Sequence, residues 1–173
     1  MPGKVIVLEG ADGSGKSTQF YLLTQRLSDE GVSFRRLVYP QYSQPSSALV
    51  RMYLGGEFGS KPEDVNAYAA STFFAVDRIA SYMKDWREYY LGGGLLLADR
   101  YTTSNAVYQG AKAENADDFL KWLFEFEYDL LGLPRPDMVI YLEMPVDVSE
   151  KLMVKRRRDT GEKADIHESD REY

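Results

Sequence analysis

Short unbroken apolar runs alternate along the chain with longer stretches that carry a single apolar face. Lys4–Glu9 is the first such run, β-branched and closed by Gly10, and it predicts a buried strand. From Lys16 through Arg26 the positions Phe20, Leu23 and Leu27 recur at helical spacing, with Gly31 as the stop. Residues 33–39, "SFRRLVY", predict a second strand ended by Pro40. A short helix follows from about Ser47 to Leu54, then a loop, "GGEFGSKPED". Pro62 opens the next predicted helix, which runs from about Val65 to Tyr90. The turn Gly92–Gly94 feeds a third strand in "LLLAD". A helix is predicted from about Ala116 to Leu131, stopped by Gly132, and "PRPD" leads into a fourth strand, "MVIYLE". Pro145 and Asp147 open the last helix.

Strands alternating with helices predict an α/β fold with a mainly parallel sheet. With 173 residues and no repeat, low-complexity tract or linker in view, a single domain over 1–173 is expected. Composition changes this picture little, at 44% hydrophobic and 28% charged. No apolar run reaches membrane-spanning length and no signal-peptide pattern follows Met1, so no membrane partner is expected. The absence of cysteine excludes disulfides and thiolate metal sites and fits a cytoplasmic protein. A net charge of −6 argues against a nucleic-acid partner, which would need a cationic surface. Lys155, Arg156, Arg157 and Arg158 form one basic run in this acidic chain, and alone they read as a solvated helix face.

Gly10 to Ser17 changes the picture most, because it matches G-x-x-x-x-G-K-[ST] between a predicted strand and a predicted helix. That context is the one the chemistry requires. Gly10, Ala11, Asp12, Gly13, Ser14 and Gly15 can turn backbone N–H groups into an anion-sized nest, and the helix starting at Lys16, Ser17 and Thr18 adds its positive dipole end. Lys16 would reach the β- and γ-phosphates of ATP, and the Ser17 hydroxyl would bind Mg²⁺. No N-K-x-D guanine reader is present. A small kinase needs in addition an acceptor site, with an arginine for the acceptor phosphate. "LADRYTTSNAVYQ", residues 97–109, supplies the groups: Asp99 and Arg100 stand at the carboxyl end of the third strand, where open α/β sheets bind ligands. Asp99 could hold Mg²⁺ through water, and Arg100 could fork onto a phosphate, although taken alone the two read better as a structural ion pair.

With "EGADGSGKST", the run D-R-Y-x-x-S-N-x-x-Y-Q resembles the thymidylate kinase family, and the resemblance continues through "YPQY", "FFAVDR" and "DIHESD". It implies a nucleoside monophosphate kinase-like fold, transfer of a phosphoryl group from ATP to dTMP, and a homodimer. By resemblance, Phe74 stacks on thymine and Arg78, one helical turn later, bonds its O4. Arg100 matches the arginine holding the acceptor phosphate, while Ser104, Asn105, Tyr108 and Gln109 match positions lining the thymidine pocket. Asp12 matches an acid near the 3′-hydroxyl and the metal, and Tyr39-Pro40 lies beside the acceptor. The rival readings are another nucleoside monophosphate or deoxynucleoside kinase, and an ATP-binding regulator.

Two departures from the family pattern matter. Gln41-Tyr42 stands where some members carry an arginine, which shifts the acceptor phosphate onto Arg100. Gly13 stands where some members place a catalytic arginine in the loop. Members with glycine there resemble the bacterial branch, which takes its arginines from a lid over about 155–170. Arg156 fits the position that packs on adenine, Arg157 or Arg158 would reach the phosphates, and Lys163 is a weaker candidate. His167, the one histidine, is expected at the surface with no chemistry assigned. The family pattern also continues past Tyr173 with a fifth strand, so a four-stranded sheet lacking the last strand and helix is expected here.

Overall fold

The computed structural model describes residues 1–160 and 166–169. These residues form two compact units: Met1–Leu37, Glu88–Asp99 and the described part of Pro136–Ala164; and Val38–Arg87, Arg100–Arg135 and the described part of Asp165–Tyr173.

The first unit is built on a four-stranded sheet in the order β2-β3-β1-β4, with β1 Lys4–Glu9, β2 Phe34–Val38, β3 Leu95–Asp99 and β4 Met138–Tyr141. Strand β1 lies parallel to both neighbours, with Leu8 opposite Asp99 on one side and Ile140 on the other. Val5, Val7, Leu96 and Ala98 are fully enclosed, as expected for central parallel strands covered on both faces. Helix α1, Lys16–Asp29, lays Phe20, Leu23 and Leu27 over Leu8 and Leu97, which is the face its spacing predicts. Asp137 fixes the start of β4: its carboxylate accepts from the Val5 N–H at 2.8 Å and the Lys4 ammonium at 2.7 Å, and its own N–H donates to the Val5 carbonyl. Strand β4 forms the outer edge, and all four of its side chains are exposed. Helix α7, Val146–Thr160, follows.

The second unit is helical. A single 3₁₀ turn at Pro45–Ser47 precedes α2, Ala48–Leu54. Helix α3, Ala67–Ser81, starts at Asn66, whose side-chain oxygen accepts from the Ala69 N–H; Pro62 instead begins a separate 3₁₀ turn, Pro62–Asp64. Beyond Ser81 the helix widens into a π turn, Tyr82–Trp86, and then continues as α4, Arg87–Leu91, which from Glu88 on belongs to the first unit. Helix α5, Thr102–Tyr108, directly follows Arg100 and Tyr101. Helix α6, Ala116–Phe124, is capped by Asn115 and runs into a second π turn, Glu125–Leu130. There the Leu131 N–H reaches back five residues to the Phe126 carbonyl at 2.9 Å. Phe119 and Leu123 of α6 pack on Ala67 of α3, so most of the apolar run "ADDFLKWLFEFEYDLL" serves the core. A short helix, α8, Ile166–Ser169, buries Ile166 against Tyr53 and Ala70. Among the described residues no helix is long and apolar enough to cross a membrane.

Candidate active site

The loop after β1 is shaped as a phosphate cradle. Gly13 and Gly15 adopt φ of 77° and 81°, left-handed values that other residues reach only at a cost. Gly13 has a second constraint, since a Cβ there would run into the Ser149 carbonyl of α7. This close approach of α7 explains why the position has no room for the arginine some relatives are expected to carry. The Ser14 hydroxyl is buried in the loop without a hydrogen-bond partner among the described residues. Lys16 begins α1, where the helix dipole is positive, yet its side chain is buried and its ammonium lies 3.8 Å from the Asp99 carboxylate. Buried cations are rare unless paired, and Asp99 provides the pair. Ser17 and Thr18 face outward and Asp12 is half-buried.

Ser17 and Asp99 offer two hard oxygen donors beside this cradle, a set that suits Mg²⁺ bound mainly through phosphate and water. Among the described residues no three His, Cys, Asp or Glu side chains gather in one cluster. Sequence reasoning missed Glu9, a second buried acid at the carboxyl end of a central strand, one residue beyond the position facing Asp99.

On the acceptor side, Arg100 is the one non-glycine described residue with positive φ, at 67°. Such a backbone, costing about 1–2 kcal/mol, persists where its surroundings enforce it, and functional sites are where it gathers. From this position the Arg100 guanidinium donates to Ser104 Oγ at 3.2 Å and lies 5.3 Å over the Tyr108 ring. Ser104 and Tyr108, one turn apart on α5, both meet Arg100, which precedes the helix in its left-handed backbone. His167 also stacks on Tyr108: its ring is 5.6 Å from that ring at 12°, and its Nε2 shares a 2.9 Å hydrogen bond with the Tyr53 hydroxyl. The histidine is therefore half-buried in the second unit rather than on the surface.

Phe74 is half-buried, with the Tyr53 ring edge-on to it at 6.2 Å. Arg78, on the same helix, is almost wholly enclosed and clamped by Glu127: Nε donates to Oε2 at 2.7 Å, and Nη2 to Oε1. Burial opposes the guanidinium charge, but the attraction and hydrogen bonding of Glu127 outweigh it and raise the arginine above its ordinary pKa. Asn105 is buried and donates through Nδ2 to the Ser71 carbonyl at 3.2 Å and to Glu127 Oε1 at 3.3 Å. Gln109 is fully enclosed, and neither of its amide atoms finds a partner among the described residues.

The Tyr39-Pro40 peptide is cis. Tyr39 itself is buried, accepting from Trp86 Nε1 at 3.0 Å and donating to Ser81 Oγ at 3.1 Å, and desolvation pushes its hydroxyl up to about 12. Asp77 holds the following turn, accepting from the Gln41 N–H at 2.7 Å and Ser46 Oγ at 2.6 Å. Of the basic run, Arg158 is exposed beside Asp159; the side chains of Arg156 and Arg157, and Lys163 altogether, lie outside the described residues.

The strand–loop–helix turn at residues 10–18, at the carboxyl end of a parallel sheet, is the arrangement of a phosphate-binding α/β protein, and its relatives make the chain a phosphotransferase of the nucleoside monophosphate kinase class. The thymidylate kinase family model matches residues 8–173, and the chain belongs to that family. It is 34% identical over 172 residues to the thymidylate kinase of Mycobacterium tuberculosis, covering 97% of this chain and 79% of that one. Against the human thymidylate kinase the identity is 32% over 142 residues, covering 82% and 60%. The solved thymidylate kinase of Candida albicans superposes with a TM-score of 0.65 at 25% identity, covering 87% of this chain and 67% of that one.

Proposed function

We propose that the chain transfers the γ-phosphoryl group of ATP to dTMP, giving dTDP and ADP, and thereby feeds dTTP synthesis. The observation that carries this reading is Arg100, held in a left-handed backbone directly after the Asp99 strand end and joined there by Ser104 and Tyr108. Residues 10–18 cradle the ATP phosphates, and Lys16 neutralises charge on the β- and γ-groups. Ser17 and Asp99 would hold Mg²⁺, which supplies further charge neutralisation on the transferred group. Arg100 forks onto the dTMP phosphate and orients one of its oxygens for attack at the γ-phosphorus, ADP leaving from the opposite side. That phosphate is already an anion, so no general base is required. Arg156, Arg157 and Arg158 supply cations from α7 where charge gathers, with Arg156 also packing on adenine, and Gly13 leaves that task to them.

Phe74 stacks on the thymine, Arg78 donates to its O4, and Asn105, Tyr108 and Gln109 complete the pocket. Asp12 lies near the 3′-hydroxyl, and Tyr39-Pro40 shapes the adjoining wall. The absence of cysteine supports a cytoplasmic setting, and the family resemblance supports a homodimer. The test is product analysis with ATP and Mg²⁺ against dTMP, dUMP, dCMP, dGMP and thymidine in turn. Formation of dTDP well ahead of every other product is expected. Preference for another acceptor would overturn the base assignment, and ATP hydrolysis independent of any acceptor would overturn the kinase reading.

A further inference from the structure

Glu127 is the most completely enclosed acid of the described chain, with none of its surface exposed, and its carboxylate is saturated with donors. It accepts from Arg78 Nε and Nη2, from Thr102 Oγ1 at 2.7 Å and from Asn105 Nδ2 at 3.3 Å. None of these partners reacts with a phosphate, so the reading given above leaves the acid unused. Its placement also has a special origin, because it sits in the π turn that widens the end of α6. Such turns recur at functional sites, since the extra residue carries a side chain where a regular helix would not put it.

The donors determine what remains free. Asn105 faces two obligatory acceptors, the Ser71 carbonyl and the Glu127 carboxylate, so its amide must turn nitrogen inward. Its Oδ1 is left as an acceptor, unengaged among the described residues. Arg78 spends Nε and Nη2 on the same carboxylate, and Nη1 is left as a donor. One oxygen, Oε1, holds both the guanidinium and the amide, so the free donor and the free acceptor belong to one fixed assembly. A donor beside an acceptor complements a pyrimidine whose 4-position is a carbonyl and whose N3 carries hydrogen. The amino-pyrimidine edge, with a 4-amino group and a bare N3, has the opposite polarity.

We propose that Glu127 is a positioning residue that sets the hydrogen-bond polarity of the base-reading edge, selecting keto over amino pyrimidines without touching the base. The proposal rests on the thymidylate reading above. A carboxamide in place of the carboxylate keeps one acceptor oxygen where four donors converge, so Arg78 and Asn105 no longer share a fixed anchor and the edge they present to the base is no longer set.

The experiment compares dTMP with 5-methyl-dCMP, which keeps the methyl group and inverts the edge, on the unmodified chain and on Glu127→Gln. The unmodified chain should favour dTMP strongly. In Glu127→Gln the dTMP preference should narrow by about tenfold or more, through a raised KM for dTMP with kcat less affected and the KM for ATP unmoved. An unchanged ratio in Glu127→Gln would overturn the positioning role alone, whereas no turnover of dTMP by the unmodified chain would overturn the thymidylate reading and this proposal with it. N3-methyl-dTMP on the unmodified chain provides an arm free of folding effects: binding at least about tenfold weaker than dTMP is expected, and equal binding would overturn the free acceptor on Asn105.

Discussion

Arg78 and Glu127 meet across 49 residues of sequence as a bidentate pair sealed from water, with side-chain exposures of 3% and 0%. A pair buried so completely contributes little net stability, but removing one partner strands a charge. Glu127→Ala should therefore destabilise the chain by about 3–5 kcal/mol in urea unfolding, whereas the double change Arg78→Met with Glu127→Leu should recover part of that loss, since Thr102 and Asn105 still lose the acceptor they share. The double variant should remain folded and still lose its preference for dTMP. A double variant as unstable as the single would show that the pair is needed for the fold itself.

Arg100 combines the acceptor role proposed for it with an unfavourable backbone, and two substitutions separate them. Both Arg100→Ala and Arg100→Gly should lower kcat/KM for dTMP by on the order of 10²–10³-fold while leaving ATP binding nearly intact. Glycine suits the left-handed conformation, so Arg100→Gly should be about 0.5–1 kcal/mol more stable than Arg100→Ala. Equal stabilities in thermal unfolding would deny that position 100 is held in that conformation.

Gly13 is predicted to tolerate no side chain. Gly13→Ala brings a Cβ against the Ser149 carbonyl at a φ that alanine avoids, and a cost of roughly 1–3 kcal/mol is expected. Because α7 must give way, the same change should weaken ATP binding, measurable by nucleotide titration. Wild-type affinity in a stable Gly13→Ala would refute the close approach of α7 to the loop.

Lys112 gives a pH signature. Burial lowers its pKa to about 8, although its ammonium donates to the Tyr53 hydroxyl and to the Pro62 and Val65 carbonyls. Between pH 8 and the ordinary lysine value the unfolded chain binds more protons than the folded one, so this group makes stability rise with pH across that window. Unfolding midpoints measured from pH 8 to 10 should show this positive contribution in the parent and not in Lys112→Met. Parallel curves for the two proteins would contradict the lowered pKa.

The sequence announces those features that depend on regular periods. Phe20, Leu23 and Leu27 mark the covered face of α1, and the loop from Gly10 to Ser17 is legible because its glycines and lysine are contiguous. Helix α5 escapes periodicity, since Thr102, Thr103, Ser104 and Asn105 are weak helix formers and little of the segment is apolar. Glu127 escapes it for a different reason: an acid amid "FEFEYD" reads as a solvated face until a π turn changes the register. His167 has no sequence signal at all, because its partners Tyr53 and Tyr108 are distant in the chain. The long predicted helices, 65–90 and 116–131, are present in outline but interrupted where the π turns place Trp86 and Glu127.

The turn at Glu125–Leu130 also makes residue number a determinant of specificity. A π turn is a helix with one residue too many. Deleting the exposed Glu125 would restore the regular 3.6-residue repeat and turn Glu127 about the axis relative to α6, off the bearing that meets Arg78. Every chemical group of the base-reading edge would still be encoded, yet its polarity would be unset, visible as a collapse of the dTMP to 5-methyl-dCMP ratio. Discrimination between pyrimidines is then vulnerable to the loss of a single codon at a surface position that contacts no nucleotide.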